Sequence, residues 1–181
     1  MPTRKSTPAQ PAPRSLVAAA REAAIRAHAP YSGFRVGAAL LTGDGRIFTG
    51  CNIENASYGL SLCAERVALA KAVSEGATDF RALAIAGGAA DTPATPCGAC
   101  RQALAEFCPP RMPVWYAGLA AGSPRATTIG KLLPHAFTLE ALAKPPLGVF
   151  AREKTEYRQN TEFRSQNDST RCLWEGSNSE F

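Results

Sequence analysis

Apolar residues along this chain fall in short clusters that are separated by glycine, proline and polar residues. The alanine-rich stretch 16–28 has helical spacing, and Ser15 immediately before it is a suitable N-cap. Two short apolar runs, 36–41 and 46–51, lie on either side of a Gly-Asp-Gly turn at 43–45. This pattern predicts a β-hairpin.

The second half of the chain's core alternates helical and strand patterns. Helical spacing covers 62–75, which ends at a glycine, and 98–107, which ends at two prolines. Apolar runs of the buried-strand type cover 82–86 and 114–117, and a last helix is predicted over 138–143. Strands that alternate with helices indicate a layered α/β fold, and we find no internal repeat.

The two ends of the chain differ in composition from the part between them. Residues 1–14 contain four prolines and few apolar groups, which is typical of a disordered tail. Residues 151–181 are polar and aperiodic and predict a second disordered tail, with Leu173 and Trp174 as the side chains able to tether it locally. We therefore expect a single folded domain over 15–150.

The net charge of +5 on 181 residues is not concentrated on the predicted domain. Residues 1–14 contribute +3, the domain carries 12 basic against 9 acidic side chains, and residues 151–181 carry 5 against 6. Because the domain has no basic stripe, we expect no nucleic-acid partner. No uncharged apolar run approaches about 18 residues and the N-terminus lacks a secretory signal, so we expect no membrane partner and a cytoplasmic protein.

Three of the six cysteines form a pattern typical of a metal site. Cys63 begins the string Cys-Ala-Glu, and Cys97 and Cys100 form a Cys-x-x-Cys pair further along the chain. All three fall at predicted helix starts, where free N–H groups and the helix dipole stabilise thiolates. Three protein ligands leave the fourth position of a tetrahedral zinc ion open for water, which distinguishes a catalytic zinc from a structural one. We therefore expect one Zn²⁺ per chain.

Glu65 and Arg66 follow the first of these cysteines directly. A carboxylate that is not a ligand can move protons at the open metal position, and the three-cysteine form of the motif is typical of zinc-dependent nucleobase deaminases. Zinc with three thiolates carries a net negative charge, so Arg66 is the candidate to hydrogen-bond a thiolate and offset that charge. The alternative is a structural zinc whose fourth ligand is Cys51, Cys108 or a histidine, with Cys51 the best candidate. This alternative leaves the Cys-Ala-Glu-Arg string without a role.

Beyond the metal pattern, the domain resembles the cytidine deaminase family of small, homotetrameric zinc enzymes of nucleoside salvage. The resemblance runs in order over about 15–143. It rests on PYSGFRVGAAL at 30–40, CNIENASYGL at 51–60, CAER at 63–66, PCGACRQ at 96–102, and Leu-Leu-Pro at 132–134 with Phe137. One departure is visible, because the family usually continues Phe-Gly-Pro, whereas Thr138 and Leu139 follow here.

The resemblance implies a three-layer α/β/α fold with a mixed sheet of about five strands. It also implies roles for residues outside the zinc motifs. Phe34 would pack against the nucleoside, Asn52 and Glu54 would hydrogen-bond the ribose 3′-hydroxyl, and the Thr95 carbonyl would accept from the substrate's amine. Ala64 would also contact the substrate.

Subunit contacts are a further implication of the resemblance. The family forms homotetramers in which neighbouring subunits share active sites. On this pattern, Ala56 and Tyr58 would approach the ligand of a neighbouring subunit, and Phe137 would pack over it. We therefore expect the protein's partners to be a nucleoside substrate and further copies of the same chain.

The implied activity is hydrolytic deamination of cytidine and deoxycytidine to uridine and deoxyuridine, with release of ammonia. Glu65 would carry a proton from water to N3 of the pyrimidine and then a proton to the departing amine. Three alternatives stay open. Blasticidin S deaminase shares the zinc motifs but not the Leu-Leu-Pro and Phe ending. A polynucleotide deaminase would need a basic groove and a histidine in the first motif, and a noncatalytic zinc-stabilised binding module would need a fourth ligand.

Overall fold

The computed structural model of the protein describes residues 13–120 and 122–138. These residues form a five-stranded sheet with helices packed on both faces. The helices are α1 (Pro13–Ile25), α2 (Ala64–Ser74), α3 (Gly98–Phe107) and α4 (Ile129–Leu132); the strands are β1 (Val36–Thr42), β2 (Ile47–Cys51), β3 (Phe80–Gly87), β4 (Pro113–Ala117) and β5 (Arg125–Thr128). A single turn of 3-10 helix covers Tyr58–Leu60.

The sheet is mixed, with the strand order β2-β1-β3-β4-β5. β1 pairs antiparallel with β2 through the predicted hairpin and antiparallel with β3 on its other side. β3 and β4 run parallel, and α3 lies between them in the chain, as a parallel pair needs a long connection. β5 closes the sheet as an antiparallel edge strand.

The two faces of the sheet bury different kinds of side chain. Side chains on a strand alternate between faces, so Ala39 of β1 faces α1 while Leu40 faces α2. The α1 face is rich in alanine, whereas larger side chains such as Leu83 and Ile85 fill the opposite side under α2 and α3. The three-layer α/β/α arrangement with five strands confirms the predicted fold class.

Small residues set the distance between α2 and the sheet. A Cβ atom built on Gly50 of β2 would lie 2.5 Å from the carbonyl oxygen of Ala64 and 2.5 Å from the backbone nitrogen of Ala68. Side chains essentially never approach a backbone so closely. The first turn of α2 therefore rests directly on the backbone of β2, and this contact places the start of α2 beside the end of the hairpin.

Most predicted elements are confirmed, with small changes at their ends. α1 begins at Pro13, two residues before the predicted cap Ser15 and inside the predicted tail 1–14. Proline is favoured in the first helical turn, because its missing N–H would have no partner there. β5 and α4 were not predicted, since each has only four residues and no clear period. The predicted helix beyond Thr138 and the tail 151–181 lie outside the described residues.

The described helices are short. α1 is the longest at 13 residues, and none of the helices in the described part of the chain is long and apolar enough to cross a membrane.

Candidate active site

Three cysteine sulfurs converge where the N-termini of α2 and α3 meet. Cys63 is the N-cap of α2, Cys97 is the N-cap of α3, and Cys100 is the third residue of α3. Their sulfur atoms lie within 4.8 Å of one another, and the Sγ atoms of Cys63 and Cys97 are 3.7 Å apart. Residues 34 positions apart in the chain are thus brought together by the packing of two helix starts.

The geometry and chemistry of this cluster fit a zinc ion. Tetrahedral zinc with Zn–S bonds of about 2.3 Å holds its sulfur ligands roughly 3.8 Å apart, close to the observed separation of Cys63 and Cys97. A hydrogen bond from the Cys100 thiol, with smaller contributions from Cys97 and Arg66, lowers the pKa of Cys63 to about 5. A lowered thiol pKa suits a zinc ligand, which binds the metal as a thiolate.

Neither of the other described cysteines joins the cluster. The Cys51 thiol donates to the carbonyl of Arg26 at 3.3 Å, and Cys108 is buried in the core, where burial raises its pKa to about 12. Within residues 13–120 and 122–138, the metal-ligating cluster consists of Cys63, Cys97 and Cys100 alone. A structural site with four protein ligands therefore has no fourth ligand among the described residues.

Glu65 is a buried carboxyl group beside the sulfur cluster. It is the second residue of α2, its relative exposure is 4%, and it borders the cavity described below. Burial is the main cause that raises its pKa, and negative charge on Cys63 adds to this effect. A carboxyl group with a raised pKa beside an open metal position is suited to accept a proton and to give it back.

Arg66 directs its guanidinium group toward the same sulfurs. Nη2 donates to the carbonyl of Ser61 at 3.0 Å, while Nε is buried with no hydrogen-bond partner in the part of the chain that the structure describes. Burial lowers the pKa of Arg66, but the neighbouring sulfurs of Cys63 and Cys100 raise it by more, so it lies above its ordinary value. A partly buried cation with a buried, unused donor beside thiols suits a thiolate-bound metal, whose excess negative charge it would offset.

A cavity of about 360 Å³ opens in front of the cluster. This volume lies within the range of small-molecule sites. The cavity brings together most of the site residues predicted from the sequence, namely Phe34, Asn52, Glu54, Tyr58, Cys63, Ala64, Glu65, Thr95 and Cys97. Cys100, Arg66, Ala56 and Phe137 are not part of its lining. Tyr58 thus borders the cavity of its own chain, whereas the family resemblance assigns it to a neighbour's ligand.

The polar side chains of the cavity also hold one of its walls in place. Asn52 donates from Nδ2 to the carbonyl of Phe34 at 2.9 Å and accepts from the N–H of Val36 at 2.8 Å. Glu54 accepts from the N–H groups of Tyr31 and Ser32 at 2.9 and 3.2 Å. Both side chains therefore anchor segment 31–36, which carries the Phe34 ring to the cavity.

Two residues that sequence reasoning did not single out as site residues fasten the end of the described chain. Gln102 donates from Nε2 to the carbonyl of Phe137 at 2.7 Å and accepts the Phe137 N–H at 3.1 Å. Arg101 donates to the carbonyls of Pro96 at 2.8 Å and Leu132 at 3.2 Å. Arg101 and Gln102 are the last two residues of the PCGACRQ string, so the sequence contained a signal that could have identified them. Phe137, held by its backbone, leaves its side chain largely exposed.

Comparisons with known proteins agree on one family. Residues 12–116 match the family described as the cytidine and deoxycytidylate deaminase zinc-binding region. The chain is 52% identical over 130 residues to a cytidine deaminase of Sporosarcina psychrophila, covering 71% of this chain and 93% of the relative. It is 43% identical over 125 residues to a cytidine deaminase of Mycobacterium tuberculosis, covering 69% and 89%.

Solved structures give the same result. The crystal structure of cytidine deaminase from Burkholderia pseudomallei is similar with a TM-score of 0.65 and 48% identity, covering 68% of this chain and 98% of that one. The crystal structure of cytidine deaminase from Mycobacterium tuberculosis is similar with a TM-score of 0.58 and 41% identity, covering 69% and 96%. The similarity therefore extends over nearly the whole length of each of these proteins.

Proposed function

The chain belongs to the cytidine deaminase family and is a hydrolytic deaminase, and from this premise we propose that it converts cytidine and deoxycytidine to uridine and deoxyuridine with release of ammonia, using one zinc ion per chain. The observation that carries the proposal is the buried Glu65 carboxyl beside three converging cysteine sulfurs at a nucleoside-sized cavity. The reaction serves pyrimidine salvage in the cytoplasm.

Proton transfer is the work of Glu65 in this proposal. When bound by Cys63, Cys97 and Cys100, zinc supplies a water acidic enough to act as the nucleophile near neutral pH. Glu65 would accept a proton from the attacking water and donate it to N3 of the pyrimidine, so that C4 gains a hydroxyl group. The same carboxyl would then carry the proton of that hydroxyl group to the exocyclic amine. The C4–N bond breaks as the C4 carbonyl forms, and the amine leaves as ammonia.

The remaining cavity residues orient the substrate. The Phe34 ring packs against the nucleoside, and the Thr95 carbonyl accepts from the amine that leaves. Hydrogen bonds, chiefly from Ser32, hold the pKa of Glu54 below its ordinary value, so that its carboxylate is an acceptor only. Asn52 keeps one amide hydrogen and one lone pair beyond its bonds to the backbone. A ribose 3′-hydroxyl can thus donate to Glu54 and accept from Asn52.

A substrate panel tests this function. Purified protein is assayed for ammonia release and absorbance change with cytidine, deoxycytidine, blasticidin S and single-stranded DNA. We expect turnover of the first two only. Turnover of blasticidin S in preference to cytidine would assign the site to that antibiotic, turnover of DNA would make the protein a polynucleotide deaminase, and no turnover at all with zinc bound would leave a binding module.

The active unit in this proposal is a homotetramer. The rim of the cavity carries large apolar side chains in the isolated chain, with Tyr58 73%, Phe34 50% and Leu62 42% exposed. Phe137 protrudes elsewhere at 59% exposure and does not line the cavity of its own chain. A second copy that covers the rim and supplies Phe137 would exclude water from the site and strengthen its electrostatics.

Mixing two defective proteins tests the shared site. One carries Glu65→Gln and the other Phe137→Ala, which avoids Tyr58 because that residue borders its own chain's cavity. After subunit exchange, some sites combine an intact Glu65 with an intact Phe137, so the activity should exceed the sum of the two separate samples. A scattering mass equal to one chain, together with full wild-type activity, would contradict the shared site.

A further inference from the structure

The Ser32 hydroxyl links two walls of the cavity. Its hydrogen is donated to Oε1 of Glu54, and its oxygen accepts the N–H of Phe34 at 2.9 Å. Glu54 and Phe34 both border the cavity, whereas Ser32 itself is not part of the lining. One hydroxyl group thus hydrogen-bonds to a residue of the polar wall and to a residue of the aromatic wall.

We infer that Ser32 is a positioning residue that fixes the Glu54 carboxylate for the sugar 3′-hydroxyl and the Phe34 ring for the base, and that recognition of the sugar depends on it. This inference rests on the proposed function, because it assumes that a nucleoside occupies the cavity. It assigns to Ser32 no contact with the substrate and no part in the chemical step.

The hydrogen-bonding capacity of Glu54 carries the argument. An ionised carboxylate offers about four acceptor positions. Oε2 already accepts the N–H groups of Tyr31 and Ser32, and Oε1 accepts the Ser32 hydroxyl. The position left on Oε1 is therefore the one available to a ligand, and the Ser32 hydroxyl determines its direction. Without that hydroxyl, Oε1 has lost its protein donor, and the terminal torsion of a glutamate is intrinsically broad.

Phe34 depends on the same hydroxyl for one of its two backbone anchors. Its carbonyl accepts from Asn52 at 2.9 Å, and its N–H donates to the Ser32 oxygen. Gly33, between Ser32 and Phe34, adopts a φ of 65°, a backbone conformation that L side chains rarely adopt. The Ser32 oxygen thus closes a short turn whose end carries the ring, so removal of the hydroxyl loosens both walls at once.

The test compares Ser32→Ala with two control variants. Ser32→Thr keeps the hydroxyl. Ser74→Ala removes a different hydroxyl, which donates to the Lys71 carbonyl at the far end of α2. Each variant is assayed with cytidine and with 3′-deoxycytidine. For Ser32→Ala we expect about a tenfold higher KM for cytidine with a smaller change in kcat, in line with loss of an oriented hydrogen bond to a charged group. With 3′-deoxycytidine its KM should rise by clearly less than with cytidine, because that substrate loses only the contact with Phe34, and Ser32→Thr and Ser74→Ala should resemble the wild type with both substrates.

Two results would overturn the inference: an unchanged KM for cytidine in Ser32→Ala, or the same rise with both substrates, which would indicate a general structural role. An NMR titration of the Glu54 carboxyl group distinguishes this failure from failure of the proposed function. Its pKa should lie below the ordinary range in the wild type and rise in Ser32→Ala, whatever the substrate of the enzyme is. An equal Glu54 pKa in the wild type and in Ser32→Ala would show that the Ser32 hydroxyl does not hold the carboxylate.

Discussion

Gly50→Ala is expected to disable the metal site although Gly50 is neither a predicted metal ligand nor part of the cavity lining. The added methyl group would lie 2.5 Å from the Ala64 carbonyl oxygen, whereas ordinary van der Waals contact begins at 3.4 Å. Both contacting atoms belong to backbone, so a side-chain rotation cannot relieve the overlap, and the start of α2 must move away from β2 by about 1 Å, since interiors are close-packed. Cys63 immediately precedes Ala64 and moves with it.

A displacement of this size is large for the site. Two Zn–S bonds of about 2.3 Å can hold sulfurs at most roughly 4.6 Å apart, and only in a linear arrangement. A change of about 1 Å in the present 3.7 Å separation between the sulfurs of Cys63 and Cys97, in either direction, would therefore depart from what a tetrahedral ion holds. Misplacement by about 1 Å can cost on the order of 10²-fold in rate, and overpacking typically costs about 1–3 kcal/mol of stability.

The assay measures kcat/KM for cytidine, zinc content and Tm for Gly50→Ala against a matched variant. Gly122→Ala is the control, because its new methyl group would meet only the Ala90 Cβ at 3.7 Å. We expect a loss of about 10²-fold in kcat/KM together with reduced zinc in the first variant, and wild-type values in the second. Full zinc content and unaltered kcat/KM in Gly50→Ala would refute the claim that this contact positions Cys63.

Three further predictions concern single groups or the chain's end. Glu65→Gln should lower kcat by about 10²–10⁴-fold with zinc retained, because an amide can hydrogen-bond but cannot carry the proton; near-normal kcat in the zinc-loaded variant would refute its role. Burial raises the pKa of Cys108 to about 12, so the thiol stays neutral below that pH. Alkylation at about pH 8.5, followed by mass spectrometry, should therefore label Cys108 only after denaturation. Rapid labelling of Cys108 in the native protein would contradict its burial. A chain that ends at Phe150 should keep its deaminase activity, and a collapse of activity in a kinetic assay would show that residues 151–181 support the domain.

The sheet and the metal cluster could be predicted because their signals are local in the sequence. Strand and helix periods hold within single segments, and the Cys-x-x-Cys pair lies at one helix start. The resemblance to the cytidine deaminase family is confirmed by relatives and structures. β5 was missed because Thr127 and Thr128, its β-branched residues, belong to a strand of only four residues at the edge of the sheet.

The contacts that position the site could not be predicted, because they join residues far apart in the chain without a repeating pattern. Ser32 and Glu54 are 22 residues apart, and Gln102 and Phe137 are 35 apart. The close approach at Gly50 likewise depends on how α2 packs, since a glycine at the end of a strand has the same appearance in sequence whether or not a helix lies over it. Only the folded chain shows which polar residues anchor backbone.

Zinc content measured alongside turnover tests the central claim most directly. The purified protein is analysed for metal and assayed with cytidine, then stripped with a chelator, assayed again, and reloaded with zinc. We predict one zinc per chain, loss of deamination on removal and recovery on addition, and no zinc binding in the Cys97→Ala, Cys100→Ala double variant. Undiminished cytidine deamination by protein free of zinc, or full zinc content in the double variant, would contradict the account.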